Sequence, residues 1–271
     1  MIEYRSFRAP HVLTDELNRF LRSQAGNDFK TLSSFFPAQW KLVVMGGLLR
    51  DLFLDRTLNV EARPADMDIV IFGAGSIDEI REKLGKTNQT TNSFGGAKCR
   101  LRPKGMIFDL WRIEDHANMA AARKPYTIEQ LLKHNLLDID ALVWDPSIGT
   151  LHNYGALEAL AAGRIGLAGR KGKSAKFAAA QIAHALTASY KTSFPLSDDA
   201  RAFVVEASRK CEPANVEAIL SRKMPHAAVQ IETFWKDILG GGVQECPTPM
   251  RALIPQPARA RRNSSSLNIR H

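Results

Sequence analysis

The sequence contains little cysteine. Its three cysteines, Cys99, Cys211 and Cys246, are odd in number, far apart and without a Cys-x-x-Cys pair. This spacing argues against a disulfide framework or a zinc site and favours a reducing compartment. The sequence also lacks a signal-peptide apolar core near its start, and no run approaches the ~18 consecutive apolar residues needed to cross a bilayer. We therefore expect a cytoplasmic protein that does not enter a membrane.

Acidic residues are too few to balance the basic ones. The 271 residues include 37 lysines and arginines against 28 aspartates and glutamates, a formal net charge of +9. Five of the arginines follow Pro247, in a stretch without any acid. Such a balance favours polyanionic partners, RNA or DNA before membranes. With 45% apolar and 24% charged residues, the composition is otherwise that of an ordinary globular protein.

Apolar periodicity predicts strands in the first half of the chain and helices in the second. It predicts buried strands at 40–45 and 67–72, and a hairpin of 97–101 with 106–113 around Pro103-Lys104-Gly105. After Gly155 it predicts only helices, at 156–162, 175–190, 198–210, 215–222 and 226–239. This order predicts an α+β fold. We expect an N-terminal domain at 1–150, a helical domain at 151–240 and a disordered basic tail at 241–271.

Two aspartates one residue apart, Asp66 and Asp68, lie at the start of the strand predicted at 67–72. Side chains alternate between the faces of a strand, so residues i and i+2 place both carboxylates on one face. Paired carboxylates on a rigid strand suit one or two Mg²⁺ ions. Upstream, Gly46-Gly47 separates an apolar strand from an amphipathic helix, where backbone N–H groups can meet phosphate oxygens. Together the two features indicate metal-assisted chemistry on a nucleoside triphosphate.

These residues resemble a known family. The run from Gly46 to Leu52, followed by Asp66-Met67-Asp68-Ile69, is similar to the first motif of the class II tRNA nucleotidyltransferases and bacterial poly(A) polymerases, within the DNA polymerase β-like superfamily. The likeness continues more weakly along the chain, through 93–96, 108–111, 140–146, 155–160 and 163–165.

The resemblance implies a five-stranded type of catalytic sheet on which Asp66, Asp68 and Asp109 bind two Mg²⁺ ions. One ion would hold the triphosphate of an NTP. The other, bound also by Asp109, would lower the pKa of an acceptor 3′-hydroxyl for in-line attack on the α-phosphorus. Carboxylates suit this reaction because phosphoryl transfer depends mainly on positioning and charge neutralisation.

Nucleotide contacts are implied at five residues, Gly46, Gly47, Arg50, Asn135 and Lys176. The last two lie where the chain departs from the family. His134-Asn135-Leu136 stands in place of the Arg-Arg-Asp that opens the second motif. The helix that begins near Lys176 has alanine and glutamine in place of base-selecting arginines. The metal centre is therefore kept, while the nucleotide-selecting residues are rebuilt or lost.

A basic run precedes this helix and includes Arg164, Arg170, Lys171 and Lys173. We interpret it as a nucleic-acid contact or as a solvated linker. Asp138 and Asp140 form a second aspartate pair, which we rank below the first because Asp138 is interpreted as a helix cap or a solvent-facing residue. The leading hypothesis is a Mg²⁺-dependent nucleotidyltransferase that extends a 3′-hydroxyl of RNA, tRNA-like RNA above all. Two alternatives stay open, transfer to a protein or small molecule, and an inactive nucleotidyltransferase-like module that binds RNA or a protein partner.

Overall fold

The computed structural model describes residues 3–8, 11–58, 66–85, 87–92, 95–116, 119, 122, 124–169 and 175–242. The side chains at 11–13, 55–58, 88, 175 and 176 are outside that description. Most of the predicted basic tail, from 243 onward, lies outside it as well.

Strands and helices are divided between the two halves of the chain. The strands β1 to β8 are Tyr4–Arg8, Lys41–Met45, Asp66–Phe72, Asn88–Thr91, Ala97–Arg100, Ile107–Arg112, Leu142–Asp145 and Thr150–Tyr154. The helices α1 to α10 are His11–Arg22, Gln24–Ser33, Gly47–Leu58, Ile77–Leu84, Ile128–Lys133, Ala156–Ala162, Ala175–Thr192, Asp198–Ser208, Pro213–Lys223 and Ala228–Leu239. Short 3₁₀ turns at Ile113–Asp115 and Asp138–Asp140 complete the regular structure. This arrangement confirms the predicted α+β fold.

The strands form one mixed sheet in the order β1-β8-β7-β2-β3-β6-β5-β4. Neighbouring strands run antiparallel except β3 and β6, which are parallel. The expected five-stranded type of sheet is therefore too small. Pattern reasoning missed β1, β4 and β8, since these strands are short and largely polar; β1 and β4 form the two edges of the sheet, and β8 lies next to β1. The predicted hairpin is confirmed as β5 and β6.

The centre of the sheet is buried on both faces, and β3 lies within it. Met67, Ile69 and Ile71 on one face of β3 are fully buried, and so is Val70 on the other. Helix α3 packs against β2, β3 and β7. Only the first residues of β3 reach the surface, where Asp66 is exposed. The aspartate pair thus lies at the solvent end of an otherwise apolar strand, on a backbone that packing holds rigid.

Helices α7 to α10 pack together through an apolar core that includes Ile182, Leu186, Phe203, Val216 and Ile231. Backbone bridges join the segments leading into this bundle, Leu137 to Leu167 and Ile165 to Leu196. The last strand runs to Tyr154, past the boundary expected at 150. The division into two domains stays a prediction. Among the described residues, no helix is both long and apolar enough to span a membrane.

Candidate active site

A row of charged side chains crosses three neighbouring strands of the sheet. Asp68 of β3 lies opposite Asp109 of β6, and Asp109 lies opposite Lys98 of β5. Residues that face each other in register point to the same face of a sheet, and Asp66 shares that face with Asp68. The structure therefore brings Asp66, Asp68 and Asp109 to one side of the sheet, as the sequence predicted.

The glycine turn lies beside this row. Gly46 has a φ of +73°, a conformation that glycine adopts without steric penalty, and a Cβ built on it lies 3.6 Å from Asp68 Oδ2. Gly47 is the first residue of α3. The first N–H groups of a helix have no partner within the helix and attract anions. The turn thus presents backbone donors next to a carboxylate.

The carboxylate of Asp68 is strongly perturbed. Burial raises its pKa to about 7, with further contributions from the negative charges of Asp66, Asp109 and Asp140 and an opposing one from Lys98. Like charges held close together disfavour ionisation, and a cation relieves this repulsion. The pKa shift therefore marks a local excess of negative charge among oxygen donors, the environment in which a divalent cation binds.

Asp109 is held by two side chains. Lys98 Nζ lies 3.2 Å from its Oδ2, and Asn92 donates a short hydrogen bond from Nδ2 to its Oδ1. Asn92 is itself fixed, because its Oδ1 accepts from the N–H of Gly96 at 2.8 Å. A Cβ at Gly96 would lie only 2.8 Å from the carbonyl oxygen of Leu110. Glycine at 96 thus lets the turn approach β6 and orient Asn92 on the carboxylate.

Arg50 lies beneath the glycine turn, within the fold. It is 4% exposed, and it donates from Nη1 to Asp140 Oδ1 at 2.7 Å and from Nε to Asp51 Oδ1 at 2.8 Å. His184 Nε2 of α7 lies 2.9 Å from the second oxygen of Asp140. Burial would raise the pKa of Asp140, but Arg50 and His184 outweigh it and lower the pKa to about 2. Arg50 is thus committed to two carboxylates, and its phosphate contact stays a prediction.

The interpretation of Asp138 as a helix cap or a solvent-facing residue was wrong. Asp138 and Asp140 are both buried in the 3₁₀ turn before β7. Asp138 Oδ1 accepts from the N–H groups of Gly166 at 2.9 Å and Ile139 at 2.7 Å. Asp138 was misread because its partner Gly166 is distant in sequence, as are Arg50 and His184, the partners of Asp140.

One lysine of the helical bundle, Lys223 at the end of α9, interacts electrostatically with the acidic residues. Partial burial lowers its pKa, Asp66 and Asp68 act to raise it, and Lys191, in the last turn of α7, acts to lower it. The side chain of Lys223 is nevertheless accessible to solvent. Lys223 therefore adds positive charge within electrostatic range of the carboxylates.

The remaining candidate residues lie in other settings. Asn135 is buried next to α5, and its Oδ1 accepts from the N–H of Leu136 at 3.1 Å. Arg164 follows α6 and acts electrostatically on Asp138. Lys176 is in the first turn of α7, with its side chain outside the description. Arg170, Lys171 and Lys173 lie outside the described residues altogether. None of these roles is tested, and each stays a prediction.

Asp66 and Asp68 are suitable ligands for a divalent cation, but they do not form a complete coordination shell. Within the described ranges, no three His, Cys, Asp or Glu side chains are grouped closely enough to hold one ion together. Asp66 and Asp68 offer carboxylate oxygens on one face of β3, while both oxygens of Asp109 already have partners. The residues present fit a divalent ion at the first pair.

Sequence reasoning missed Asn92, Lys98, Asp140 and His184 as parts of this site. The predicted hairpin came within one residue of one contact: a turn centred on Lys104 pairs position 98 with 110, whereas the structure pairs it with 109. The other three depend on contacts between distant segments, for which a single sequence carries no pattern.

Comparisons with known structures agree with this architecture. The chain is similar to a CCA-adding enzyme solved with CTP, with 18% identity, a TM-score of 0.60, and coverage of 87% of this chain and 56% of that one. It is similar to the Thermotoga maritima CCA-adding enzyme complexed with tRNA, with 18% identity, a TM-score of 0.59, and coverage of 87% and 55%. A tRNA-processing enzyme in its apo form matches at 18% identity and a TM-score of 0.52, over 89% and 60%.

The similarity covers only part of the matched structures and is not found at the level of sequence families. The chain spans little more than half the length of the structures it matches. No protein-family model and no curated protein matches it. At this identity the comparisons establish the fold alone, which this chain shares with these enzymes.

Proposed function

We propose that this chain is a divergent nucleotidyltransferase that moves a nucleotide from an NTP to a 3′-hydroxyl of RNA in a reaction that needs a divalent cation. The similar structures support this assignment, since they are complexes of CCA-adding enzymes with CTP, ATP and tRNA. The net charge of +9 supports a polyanionic acceptor.

One observation carries the proposal. Asp68 and Asp109 face each other on parallel neighbouring strands beside the Gly46 turn, with a pKa of about 7 at Asp68. A plain structural sheet has no reason to concentrate repelling carboxylates at the solvent end of its central strands. A site that recruits Mg²⁺ does, because the ion converts the repulsion into binding.

The residues would have separate roles. Asp66 and Asp68 would hold the divalent ion, which would supply charge neutralisation for the phosphates. The Gly46-Gly47 turn orients phosphate oxygens through backbone N–H groups. Lys223, with Lys191 near it, attracts the triphosphate, and the acceptor hydroxyl approaches on the Asp109 side. The acceptor oxygen forms a bond to the α-phosphorus and gives up its proton to solvent. The bond from the α-phosphorus to the oxygen that bridges it to the β-phosphorus breaks, and pyrophosphate leaves.

The direct test is incorporation of label from α-labelled ATP and CTP into total RNA in the presence of Mg²⁺. We expect labelled RNA, no label with EDTA, and no label when the RNA 3′ ends have been oxidised with periodate. Asp68→Asn should reduce the rate by about 10²–10³-fold, as when one charge-stabilising group is removed from an active site. Asp78→Asn is the matched control, because Asp78 is an exposed carboxylate on α4.

A rate unchanged in Asp68→Asn would refute the assignment of the site. Label in protein bands and not in RNA would keep the chemistry and change the acceptor to a protein, the alternative left open by the sequence.

An inactive module that binds RNA or a protein partner is the second candidate. It is favoured by the engagement of both Asp109 oxygens and by His134-Asn135-Leu136 in place of Arg-Arg-Asp. Calorimetry separates the two candidates, since NTP binding that depends on Mg²⁺ is not expected of a passive scaffold.

A further inference from the structure

Lys98 occupies an unusual position for a strand lysine. It points to the same face as the acidic residues, directly opposite Asp109, and its Nζ lies 3.2 Å from Asp109 Oδ2. The alternation of β5 fixes this direction, because Ala97 and Cys99 are buried on the other face. The hairpin of β5 and β6 therefore carries a permanent cation to the third carboxylate.

Asp109 is also held on its other side. Asn92 donates to Oδ1, and the close approach of Gly96 to β6 fixes Asn92. Each oxygen of Asp109 already faces one protein donor, so a metal ion could use only the lone pair that remains on it. A second divalent ion at Asp109 would also lie against the ammonium group of Lys98 and be repelled by it.

The charges of the cluster agree with this arrangement. Asp66, Asp68 and Asp109 together carry three negative charges when ionised. One divalent ion and one ammonium group balance them before any substrate binds. Two divalent ions beside Lys98 would leave an excess of positive charge at the empty site.

We propose that Lys98 takes the place of the metal ion that the family resemblance assigns to Asp109, so that the site holds one divalent ion, on Asp66 and Asp68, per bound nucleotide. Lys98 is then a positioning residue that supplies a fixed positive charge on the acceptor side. This inference rests on the proposed function, but it concerns the number of ions and not the occurrence of the reaction.

The test counts ions. Equilibrium dialysis of the full chain with Mn²⁺ and the non-reactive analogue α,β-methylene-ATP, repeated with the CTP analogue, measures bound Mn²⁺ and bound nucleotide separately. We expect a ratio of one for the native chain and for Lys98→Arg, which keeps the charge. Lys98→Met should raise the ratio to two. Lys83→Met, which removes an exposed lysine on α4, should leave it at one.

Asp109→Asn provides a second measurement that does not depend on the folding of the lysine variants. If Asp109 is not a metal ligand, its ratio stays at one. A ratio of two in the native chain that falls to one in Asp109→Asn overturns the proposal and leaves the proposed function standing. A ratio of one in Lys98→Met also overturns it. Binding of neither Mn²⁺ nor nucleotide would instead contradict the proposed function, and this inference with it.

Discussion

Asp68 and Asp140 are both desolvated carboxylates, yet their pKa values move in opposite directions. Burial, with added repulsion from neighbouring acids, raises the pKa of Asp68 to about 7, whereas the pKa of Asp140 falls to about 2 because Arg50 and His184 bind its two oxygens. Burial acts in the same direction on both, so the neighbours decide the outcome. The contrast separates a carboxylate that the fold has already paired from one that the fold places among other acids, where we propose that a cation binds.

The largest expected change in unfolding free energy is at Asp140, the carboxylate paired with Arg50. Asp140→Ala leaves the guanidinium of Arg50, 4% exposed, with Asp51 as its remaining carboxylate partner. Removing one member of a buried ion pair costs about 3–5 kcal/mol of unfolding free energy. Urea denaturation of Asp140→Ala and of the native chain measures the difference, and Asp78→Ala is the exposed control.

A double variant tests whether the charge of Arg50 is the cause. Arg50→Met/Asp140→Leu removes both members of the pair and should lose less stability than Asp140→Ala. If the double variant is less stable than the single one, shape and not charge dominates this position, and the comparison with Asp68 loses its basis.

The second-largest expected effect is a gain in stability, on substitution of Asp68. A folded-state pKa of about 7 at Asp68, against an ordinary 3.8, means that the folded chain holds the proton longer. The stability from this group is complete below about pH 4, falls as the pH rises, and is lost above about pH 7. Without divalent ions at pH 8, Asp68→Asn should therefore stabilise the fold by on the order of 2–4 kcal/mol.

Thermal unfolding in EDTA at several pH values measures this gain. The difference between Asp68→Asn and the native chain should shrink towards pH 4, and added Mg²⁺ should stabilise the native chain alone. Equal melting temperatures at pH 8 would show that Asp68 has an ordinary pKa. That result would also remove the electrostatic case for a metal site.

The two carboxylates also differ in how far a sequence can predict them. Asp68 can be predicted because its strand, its partner Asp66 and the glycine turn are all local patterns. The role of Asp140 cannot be predicted in this way, since Arg50 is 90 residues away and His184 is 44 residues away. Ion pairs between distant segments depend on packing, which leaves no periodicity in the chain.

The edge strands show the same limit. The strand β4, with the sequence Asn-Gln-Thr-Thr, has no apolar alternation, and it exists because β5 offers it a backbone ladder. The helices after Gly155 were predicted nearly residue for residue, because each buries one apolar stripe against its neighbours. Local apolar patterns thus predict the helices and strands. The charged side chains pair where these helices and strands contact one another, and local patterns do not predict those contacts.

The smallest expected change in unfolding free energy is at one of these contacts, between His184 and Asp140. His184 of α7 contacts Asp140 from the helical bundle, but its side chain is 40% exposed. His184→Ala removes one hydrogen bond to a charged group that keeps Arg50 as its partner, so we expect a loss of about 1 kcal/mol. His184→Gln keeps a donor within reach and should recover part of it, and His226→Ala, at an exposed histidine before α10, should change nothing. A loss in His184→Ala as large as that in Asp140→Ala would mean that the histidine, and not Arg50, is what holds the carboxylate in place.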